Sequence, residues 1–176
     1  MQPSDWPLDI HRELSAAGVT LVGYVPDAGH KRLIELCHAD KSMRAVVLST
    51  EEEGIGLATG AWLGGQKSVL LMQSSGVGNV VNVIGMTKEC RIPLVSIVTM
   101  RGQQGEFNPW QVAMGQATRG VLEAMGTIVH EAHSPEEIGP IVNAALRLAY
   151  YSYVSVAVLI AQRVIGIKSF QEQTSQ

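Results

Sequence analysis

Hydrophobic residues occur along the chain in short continuous runs that alternate with longer segments of helical period. Six of these runs have the length of a strand: residues 19–25, 44–49, 68–73, 94–100, 127–130 and 154–161. Strands that are apolar at most positions are typical of parallel sheets, because helices then bury both faces of the sheet. The pattern therefore predicts an α/β fold in which a mostly parallel sheet lies between two layers of helices.

Helix-start signals stand between the runs. Asp5 and Asp27 occupy expected N-cap positions, and Thr50 and Glu53 have the spacing of a capping box. The helical segments end near residues 17, 37, 64, 90, 125 and 150, and the stretch 74–78 is predicted to be a loop before a helix that begins near residue 79. We predict one domain over residues 1–165, with a three-layer, flavodoxin-like, six-stranded sheet, and a frayed polar tail over residues 166–176.

Composition narrows the class of protein. Hydrophobic residues make up 46% of the 176 residues and the mean hydropathy is +0.14, so we expect some apolar surface to be buried against another subunit. A net charge of −3 without a long basic run argues against nucleic acid as the partner. No apolar run spans a membrane or opens the chain as a signal peptide. Two isolated thiols, Cys37 and Cys90, fit a reducing compartment, so we expect a cytoplasmic protein.

Three adjacent carboxylates, Glu51, Glu52 and Glu53, begin the helix after the second strand. Acids in a first turn stabilise a helix by roughly 0.3–1 kcal/mol each, which by itself explains them. However, the small residues that follow, such as Gly56 and Ala58, allow close approach to this helix. The middle carboxylate can face the core while its neighbours face water, so Glu52 is also a candidate functional group.

The other candidates stand beyond the carboxyl ends of predicted strands, where ligands bind in such sheets. The stretch from Gly76 to Gly78 is either a tight turn or a ligand-lining loop; Val81 stands where a dinucleotide fingerprint requires a third glycine. His30 is either an exposed helix residue or a ligand contact. Arg101 is either an anion anchor or half of a surface ion pair, and we expect Trp110 in the core.

Four segments together resemble thiamine-diphosphate enzymes. The helix after Thr50 resembles the one that carries their activating glutamate, with the form Glu-x-x-Ala-x-x-x-Ala-x-Gly, and the stretch Ser75-Gly-Val-Gly-Asn79 resembles their pyrimidine-side loop. The stretch Val-Pro-Asp at residues 25–27 and the stretch Met-Arg-Gly at residues 100–102 also fit. In this order, the segments are most similar to the alpha subunit of sulfopyruvate decarboxylase and the matching half of phosphonopyruvate decarboxylase.

The resemblance implies the alpha subunit of a two-subunit 2-oxo acid decarboxylase, in which Glu52 activates the aminopyrimidine of thiamine diphosphate. The expected cofactor contacts are Pro26, Ser75, Gly76, Gly78 and Asn79. The expected substrate-side residues are Ala28, His30, Gln73 and Arg101. The Gly-Asp-Gly motif with which such enzymes bind the diphosphate through Mg²⁺ does not occur in this sequence, so no metal ligand is expected here. We expect that motif on a separate beta subunit of a hetero-oligomer.

Two departures from the family bear on the substrate. Ala28 stands where the relatives have serine, and Phe-Asn-Pro-Trp-Gln at residues 107–111 stands where they have Asp-Glu-Pro-Gln-His. These changes predict a 2-oxo acid that is less anionic or more aromatic than sulfopyruvate. The alternative to an enzyme is a non-catalytic, flavodoxin-like regulatory or assembly module, in which the three acids only cap a helix.

Overall fold

The computed structural model describes residues 5–166, which form one six-stranded, all-parallel sheet with helices on both faces. Its strands are β1 Val19–Tyr24, β2 Arg44–Val47, β3 Lys67–Gln73, β4 Leu94–Thr99, β5 Ile128–Ala132 and β6 Ser155–Ile160. Their order across the sheet is β2-β1-β3-β4-β6-β5. The predicted α/β, three-layer fold class is confirmed. The predicted tail over residues 166–176 lies outside the described residues apart from Gly166.

Two layers of helices cover this sheet. The helices are α1 Trp6–Ala16, α2 Lys31–Ala39, α3 Glu51–Leu63, α4 Ser74–Glu89, α5 Val112–Ala124, α6 Pro135–Ser152 and the short α7 Gln162–Ile165, with a 3₁₀ turn at Pro109–Gln111. Helices α1, α2 and α6 pack on one face, and α3, α4 and α5 pack on the other. No helix in this part of the chain has the length and apolarity needed to cross a membrane.

The direction of each step across the sheet decides which face its helix covers, because crossovers between parallel strands are right-handed. The steps from β1 to β2 and from β5 to β6 run one way and carry α2 and α6. The steps to β3, β4 and β5 run the other way and carry α3, α4 and α5. Neighbouring strands β1 and β3 therefore send their following helices to opposite faces. A crevice opens between their carboxyl ends, where such sheets bind ligands.

Two predicted helix starts are wrong. Helix α4 begins at Ser74, directly after β3, and not near residue 79. Gly76 and Gly78 have ordinary helical backbone and neither adopts a positive φ, so they do not form a turn. Helix α2 begins at Lys31, three residues later than an N-cap at Asp27 would place it. In both places, tertiary contacts of these residues override the local propensity.

The capping box predicted between Thr50 and Glu53 at the start of α3 does not form. Glu53 accepts a hydrogen bond from the backbone N–H of Ser49 at 2.8 Å, one residue before the expected Thr50. The side chain of Thr50 makes no capping hydrogen bond. Glu53 thus binds the backbone one residue before the position that the capping box predicts.

A buried ion pair holds the loop between β4 and α5. Nε and Nη2 of Arg101 donate to the two carboxylate oxygens of Glu106 at 2.8 and 2.9 Å, and both side chains are almost fully buried. Glu106 also accepts from the backbone N–H groups of Gly102 and Asn108 and from the side chain of Gln162. The hydrogen bonds from Arg101 hold the pKa of Glu106 well below its ordinary value of 4.5, although burial opposes them. One carboxylate therefore organises the whole loop.

We predict that Glu106→Gln destabilises the protein by about 3 kcal/mol at pH 7, because it leaves the guanidinium of Arg101 buried without its counter-charge. Since the pKa of Glu106 is lowered by folding, its contribution is fully present above pH 4.5 and is lost as the pH falls below that value. The free energy of unfolding should therefore depend less on pH below 4.5 in the variant than in the wild type. Urea denaturation followed by circular dichroism at pH 7 and pH 3.5 measures both effects.

The matched control is Glu123→Gln, which breaks the exposed pair between Arg119 and Glu123. Exposed pairs contribute at most about 1 kcal/mol, so this variant should unfold nearly as the wild type does. Equal stability of the Glu106 and Glu123 variants would contradict the role of the buried pair.

Candidate active site

The first carboxylate of the acidic triplet, Glu51, points into the protein. Its residue is 7% exposed, whereas Glu52 and Glu53 are exposed. Because α3 begins at Glu51, helical spacing places this residue on the same face as Ile55 and Ala58, which pack against the sheet. The prediction that the middle carboxylate, Glu52, faces the core is therefore wrong. Its predicted catalytic role is not tested by this geometry and stays a prediction.

Two signals in the sequence favour Glu51 over Glu52 as the glutamate that faces inward. Counting back from the buried Ile55 and Ala58 by one and two helical turns leads to residue 51, not to residue 52. The family pattern Glu-x-x-Ala-x-x-x-Ala-x-Gly also fits small residues at Gly54, Ala58 and Gly60 when the glutamate is residue 51. Counted from Glu52, the same positions are Ile55, Thr59 and Ala61. The small positions of the family pattern are therefore matched better from Glu51 than from Glu52.

Helix α4 holds the carboxylate of Glu51 in place. Nδ2 of Asn79 donates a hydrogen bond of 2.8 Å to Oε2 of Glu51. One turn earlier, Gly76 packs directly against the same carboxylate, and a Cβ at this position would overlap Oε1 and the carboxyl carbon of Glu51. A Cβ there would have to push the side chain of Glu51 aside, so the structural reason for Gly76 is close approach and not backbone freedom. Glu51 from the first turn of α3 thus meets Gly76 and Asn79 from the start of α4.

A second carboxylate, Asp27, lies at the crevice between β1 and β3. It accepts hydrogen bonds from Nε2 of Gln73 at 2.9 Å, from Oγ1 of Thr99 at 2.6 Å and from the backbone N–H of Gly29 at 3.1 Å. Burial tends to raise the pKa of Asp27, but the hydrogen bond from Thr99, the nearby His30 ring and the hydrogen bonds from Gln73 and Gly29 together outweigh burial, and the pKa lies below its ordinary value. The sequence predicts that Asp27 caps a helix; instead it joins the carboxyl ends of β1, β3 and β4.

Sequence reasoning missed Asp27 and Thr99 as members of the site. The available signal was position, because both residues stand at or just past the end of a strand that is central in the predicted sheet. Gln73, a predicted substrate-side residue, does belong to this group. Its amide oxygen accepts a hydrogen bond of 2.8 Å from the hydroxyl of Ser75, which is exposed in the first turn of α4.

His30 directly precedes α2 and is fully buried, so the expectation of an exposed helix histidine is wrong. Its Nε2 lies 3.3 Å from the carbonyl oxygen of Met72 and 3.1 Å from that of Ile97, so Nε2 carries the proton and donates to both. Burial lowers the pKa of His30, against the opposing effect of the Asp27 carboxylate. A neutral His30 therefore bridges β3 and β4 near their carboxyl ends.

Arg101 does not present a free guanidinium. Its charge is paired with the buried Glu106, so the ion pair is internal and not on the surface, and the role of Arg101 as an anion anchor stays a prediction. Trp110, expected in the core, is 88% exposed in the turn before α5. The backbone N–H of Trp110 donates to Oδ1 of Asn108, which caps this turn.

The remaining predicted residues lie on the surface near the carboxyl ends of β1 and β3. Pro26 and Ala28 are exposed and border a cavity of about 440 Å³ together with Tyr24, Asp27, Lys31, Ile34 and Glu35. Gly78 is exposed on α4, one turn beyond Ser75. Both groups of predicted residues therefore lie at the carboxyl edge of the sheet, around Asp27 and Glu51.

Comparison with known proteins shows what this chain is similar to. No protein-family model matches the chain. The chain is 36% identical over 152 residues to the sulfopyruvate decarboxylase subunit alpha of Methanococcus maripaludis, a match that covers 86% of this chain and 91% of that protein. It is 36% identical over 117 residues to the phosphonopyruvate decarboxylase of Streptomyces viridochromogenes, which covers 65% of this chain and 30% of that protein.

Among solved structures, the fold is similar to that of 2-oxoglutarate:ferredoxin oxidoreductase from Magnetococcus marinus, with a TM-score of 0.70 at 14% sequence identity. The match covers 96% of this chain and 33% of that one, and at this identity it supports the fold alone. The sequence match to the methanogen subunit extends over nearly the whole of both chains. The chain therefore belongs to the family of sulfopyruvate decarboxylase alpha subunits.

Proposed function

We propose that this chain is the alpha subunit of a two-subunit, thiamine-diphosphate-dependent decarboxylase of 2-oxo acids, and that Glu51 is the carboxylate that acts on the aminopyrimidine of the cofactor. The observation that carries this proposal is the burial of Glu51 at the carboxyl edge of the sheet, where Asn79 and Gly76 fix it. A helix cap has no need of a buried carboxylate that excludes a Cβ from the neighbouring helix.

The residues present fit the cofactor. A carboxylate in an apolar setting forms a strong hydrogen bond to a ring nitrogen, because little water competes for it. Glu51 would hold a proton between its own oxygen and that nitrogen, while Asn79 keeps the carboxylate oriented. Pro26, Ser75 and Gly78 would border the ring from the exposed side. When bound, thiamine diphosphate supplies the electron sink that accepts the electron pair released with carbon dioxide.

The relatives favour this function over a regulatory or assembly module, because the curated matches with both subunit-length and longer chains are decarboxylases. Two of the site's groups also favour an enzyme on physical grounds. Asp27 and Glu51 are ionisable groups held at a crevice rather than in surface ion pairs, which is typical of functional sites.

A partner subunit is supported by the low charge of one outer surface. From Gly54 to Leu63 in α3 and from Ser74 to Thr87 in α4, no residue carries a charge. These two helices pack side by side, and their outward positions are small or apolar. We name this surface, formed by Gly56, Gly60, Leu63, Gly78, Asn82 and Met86, the α3–α4 surface. Charged residues are depleted at interface cores, so we propose that the beta subunit with the Gly-Asp-Gly motif and Mg²⁺ binds here.

The substrate that we propose is a small 2-oxo acid. On this chain, the crevice carries the negative charges of Asp27 and Glu51, while the guanidinium of Arg101 is already paired with Glu106. A second anionic group on the substrate, such as the sulfonate of sulfopyruvate, would gain little attraction from Arg101. The prediction of a less anionic or more aromatic acid therefore stays open, and the exposed Trp110 is the group that would contact it.

We predict that Glu51→Gln lowers the rate of carbon dioxide release by at least roughly 100-fold in the complex with the beta subunit, because the amide cannot take up the proton. Glu52→Gln should change the rate by less than about threefold, because Glu52 points into solvent. The rate is measured with saturating thiamine diphosphate and Mg²⁺ over a panel of 2-oxo acids that includes sulfonated, phosphonated, aliphatic and aromatic members.

The pair of variants also decides between the two carboxylates. Loss of activity in Glu52→Gln with normal activity in Glu51→Gln would show that the middle residue is the activating group. Normal activity in both variants would rule out the proposed mechanism.

Gly76→Ala should reduce activity by about as much as Glu51→Gln, because the new methyl group displaces the carboxylate of Glu51. The matched control is Gly85→Ala in the same helix, where a Cβ would meet only Met125 at 3.7 Å, an ordinary contact. Both changes replace a helical glycine by alanine, and this replacement by itself stabilises the helix by about 1 kcal/mol. Activity and thermal unfolding are measured together; equal activity of the two variants would show that Gly76 does not hold the carboxylate.

Gly60→Arg should weaken binding of the beta subunit by at least about tenfold, because it places a charged, bulky side chain in the α3–α4 surface. Ala144→Arg, on the exposed side of α6 across the sheet, is the control and should bind normally. Analytical ultracentrifugation of mixed subunits measures association, and the melting temperature of each chain checks its fold. Normal assembly of the Gly60 variant would place the beta subunit elsewhere.

A further inference from the structure

Asp27, Gln73 and Ser75 form a continuous chain of hydrogen bonds across the crevice between β1 and β3. Oδ1 of Asp27 accepts from Nε2 of Gln73 at 2.9 Å, and Oε1 of Gln73 accepts from the hydroxyl of Ser75 at 2.8 Å. The other oxygen of Asp27 is occupied by Thr99 and Gly29. We call these three side chains, Asp27, Gln73 and Ser75, the Asp27 relay. They come from the loop after β1, the end of β3 and the start of α4, so the relay spans the switch point of the sheet.

The carboxylate decides the direction of every hydrogen bond in the Asp27 relay. An ionised carboxylate can only accept, so the amide of Gln73 must turn its nitrogen towards Asp27. The amide oxygen then faces Ser75, and an amide oxygen can only accept. Ser75 must therefore use its single hydrogen inside the relay. What its exposed hydroxyl oxygen presents to the crevice is a pair of acceptor positions and no donor.

The ionised state of Asp27 is secured by its surroundings. Three donors surround its two oxygens, and together with the nearby His30 ring they keep the pKa of the carboxyl below its ordinary value in spite of burial. The nearby ring of His30 is occupied with the carbonyl groups of Met72 and Ile97 through Nε2. At neutral pH the relay therefore runs in one direction only.

Ser75 lies at the rim of the proposed cofactor site, because it precedes Gly76, which touches the carboxylate of Glu51. An aminopyrimidine offers acceptors at its ring nitrogens and a donor only at its exocyclic amino group. An acceptor at Ser75 matches that amino group alone. Ring nitrogens would instead require a donor, and the relay denies Ser75 that role.

We propose that Asp27 is a positioning residue that makes Ser75 an obligate hydrogen-bond acceptor, and that Ser75 thereby selects the amino group of the pyrimidine. This role rests on the proposed function, since it concerns the same cofactor. Asp27 acts through Gln73 and does not touch the cofactor itself. The relay would accordingly discriminate an amino group from an oxo group at the same ring position.

The test inverts the relay and then restores it. In Asp27→Asn, the oxygen of the new amide stays with Thr99 and Gly29, so its nitrogen faces residue 73. Gln73 then turns its own oxygen to that nitrogen and its own nitrogen to Ser75, which becomes a donor to the crevice. In the double variant Asp27→Asn with Gln73→Glu, the carboxylate of residue 73 accepts from both neighbours, and Ser75 is an acceptor again.

Cofactor binding to the assembled alpha–beta complex is titrated calorimetrically in the presence of Mg²⁺, with thiamine diphosphate and with oxythiamine diphosphate, which carries an oxo group in place of the amino group. We expect the dissociation constant for thiamine diphosphate to rise roughly tenfold in Asp27→Asn, because one hydrogen bond is lost and two donors then face each other. The preference for the amino over the oxo form should fall by a similar factor. The double variant should return both values to within about threefold of the wild type.

Asp40→Asn is the matched control, because Asp40 also accepts from a serine two residues later but lies at the end of α2 remote from the crevice. It should bind both cofactors as the wild type does. Should Asp27→Asn fail to fold, as thermal unfolding would reveal, Ser75→Ala removes an exposed acceptor without touching Asp27. It should lose the same preference for the amino form.

Different outcomes overturn different statements. Wild-type affinity and preference in Asp27→Asn or in Ser75→Ala would refute the relay, as would a double variant that binds no better than Asp27→Asn. A wild-type complex that binds neither cofactor would instead refute the proposed function.

Discussion

The handedness of parallel crossovers determines where the polar groups of this protein meet. Right-handed connections send the chain to one face after β1 and to the other face after β3, although these strands are neighbours. The crevice that results is bordered by the loop after β1 and the first turn of α4. Asp27 and Gln73 span it with one hydrogen bond, and Glu51 reaches its edge from α3. The polar cluster follows from topology before any particular side chain is considered.

Three carboxylates at this edge are satisfied in three different ways, and the difference separates structure from function. Glu106 has a full counter-charge and a set of N–H donors, so it has no capacity left for a ligand. Asp27 is ionised but held by neutral donors, which suits it to orient other groups. Glu51 is held by a single amide donor and a glycine contact, which leaves a buried carboxylate beside an open crevice. Of the three, Glu51 has the surroundings expected of a group that exchanges a proton.

Glycines of helices α3 and α4 face three different directions. Towards the sheet, Gly54 allows α3 to approach β3 so closely that a Cβ would overlap Leu70. Towards each other, Gly76 allows the helices to enclose the carboxylate of Glu51. On the outside, Gly56 and Gly60 have open space around the position of a Cβ. A partner on the α3–α4 surface would therefore approach the same helices that carry Glu51 and Asn79.

The sequence by itself determined the fold class, because continuous apolar strands require helices on both faces and therefore a parallel sheet. It also located the loops of the site, since the carboxyl ends of parallel strands share one edge. It placed Pro26, Gln73, Ser75, Gly76 and Asn79 in that region. The structure brings Gly76 and Asn79 to the carboxylate of Glu51 and Gln73 to that of Asp27, with Ser75 bonded to the amide of Gln73.

Tertiary structure decided what the inward-facing groups contact. A shift of one residue rotates a helical side chain by about 100°, and the start of α3 at Glu51 turns inward the residue that the spacing to Ile55 and Ala58 already favours. Asp27 left its capping position because donors from two other strands reach it, and Arg101 was neutralised by a glutamate on its own loop. Contacts of this kind depend on how the chain folds back on itself, and local patterns contain no information about them.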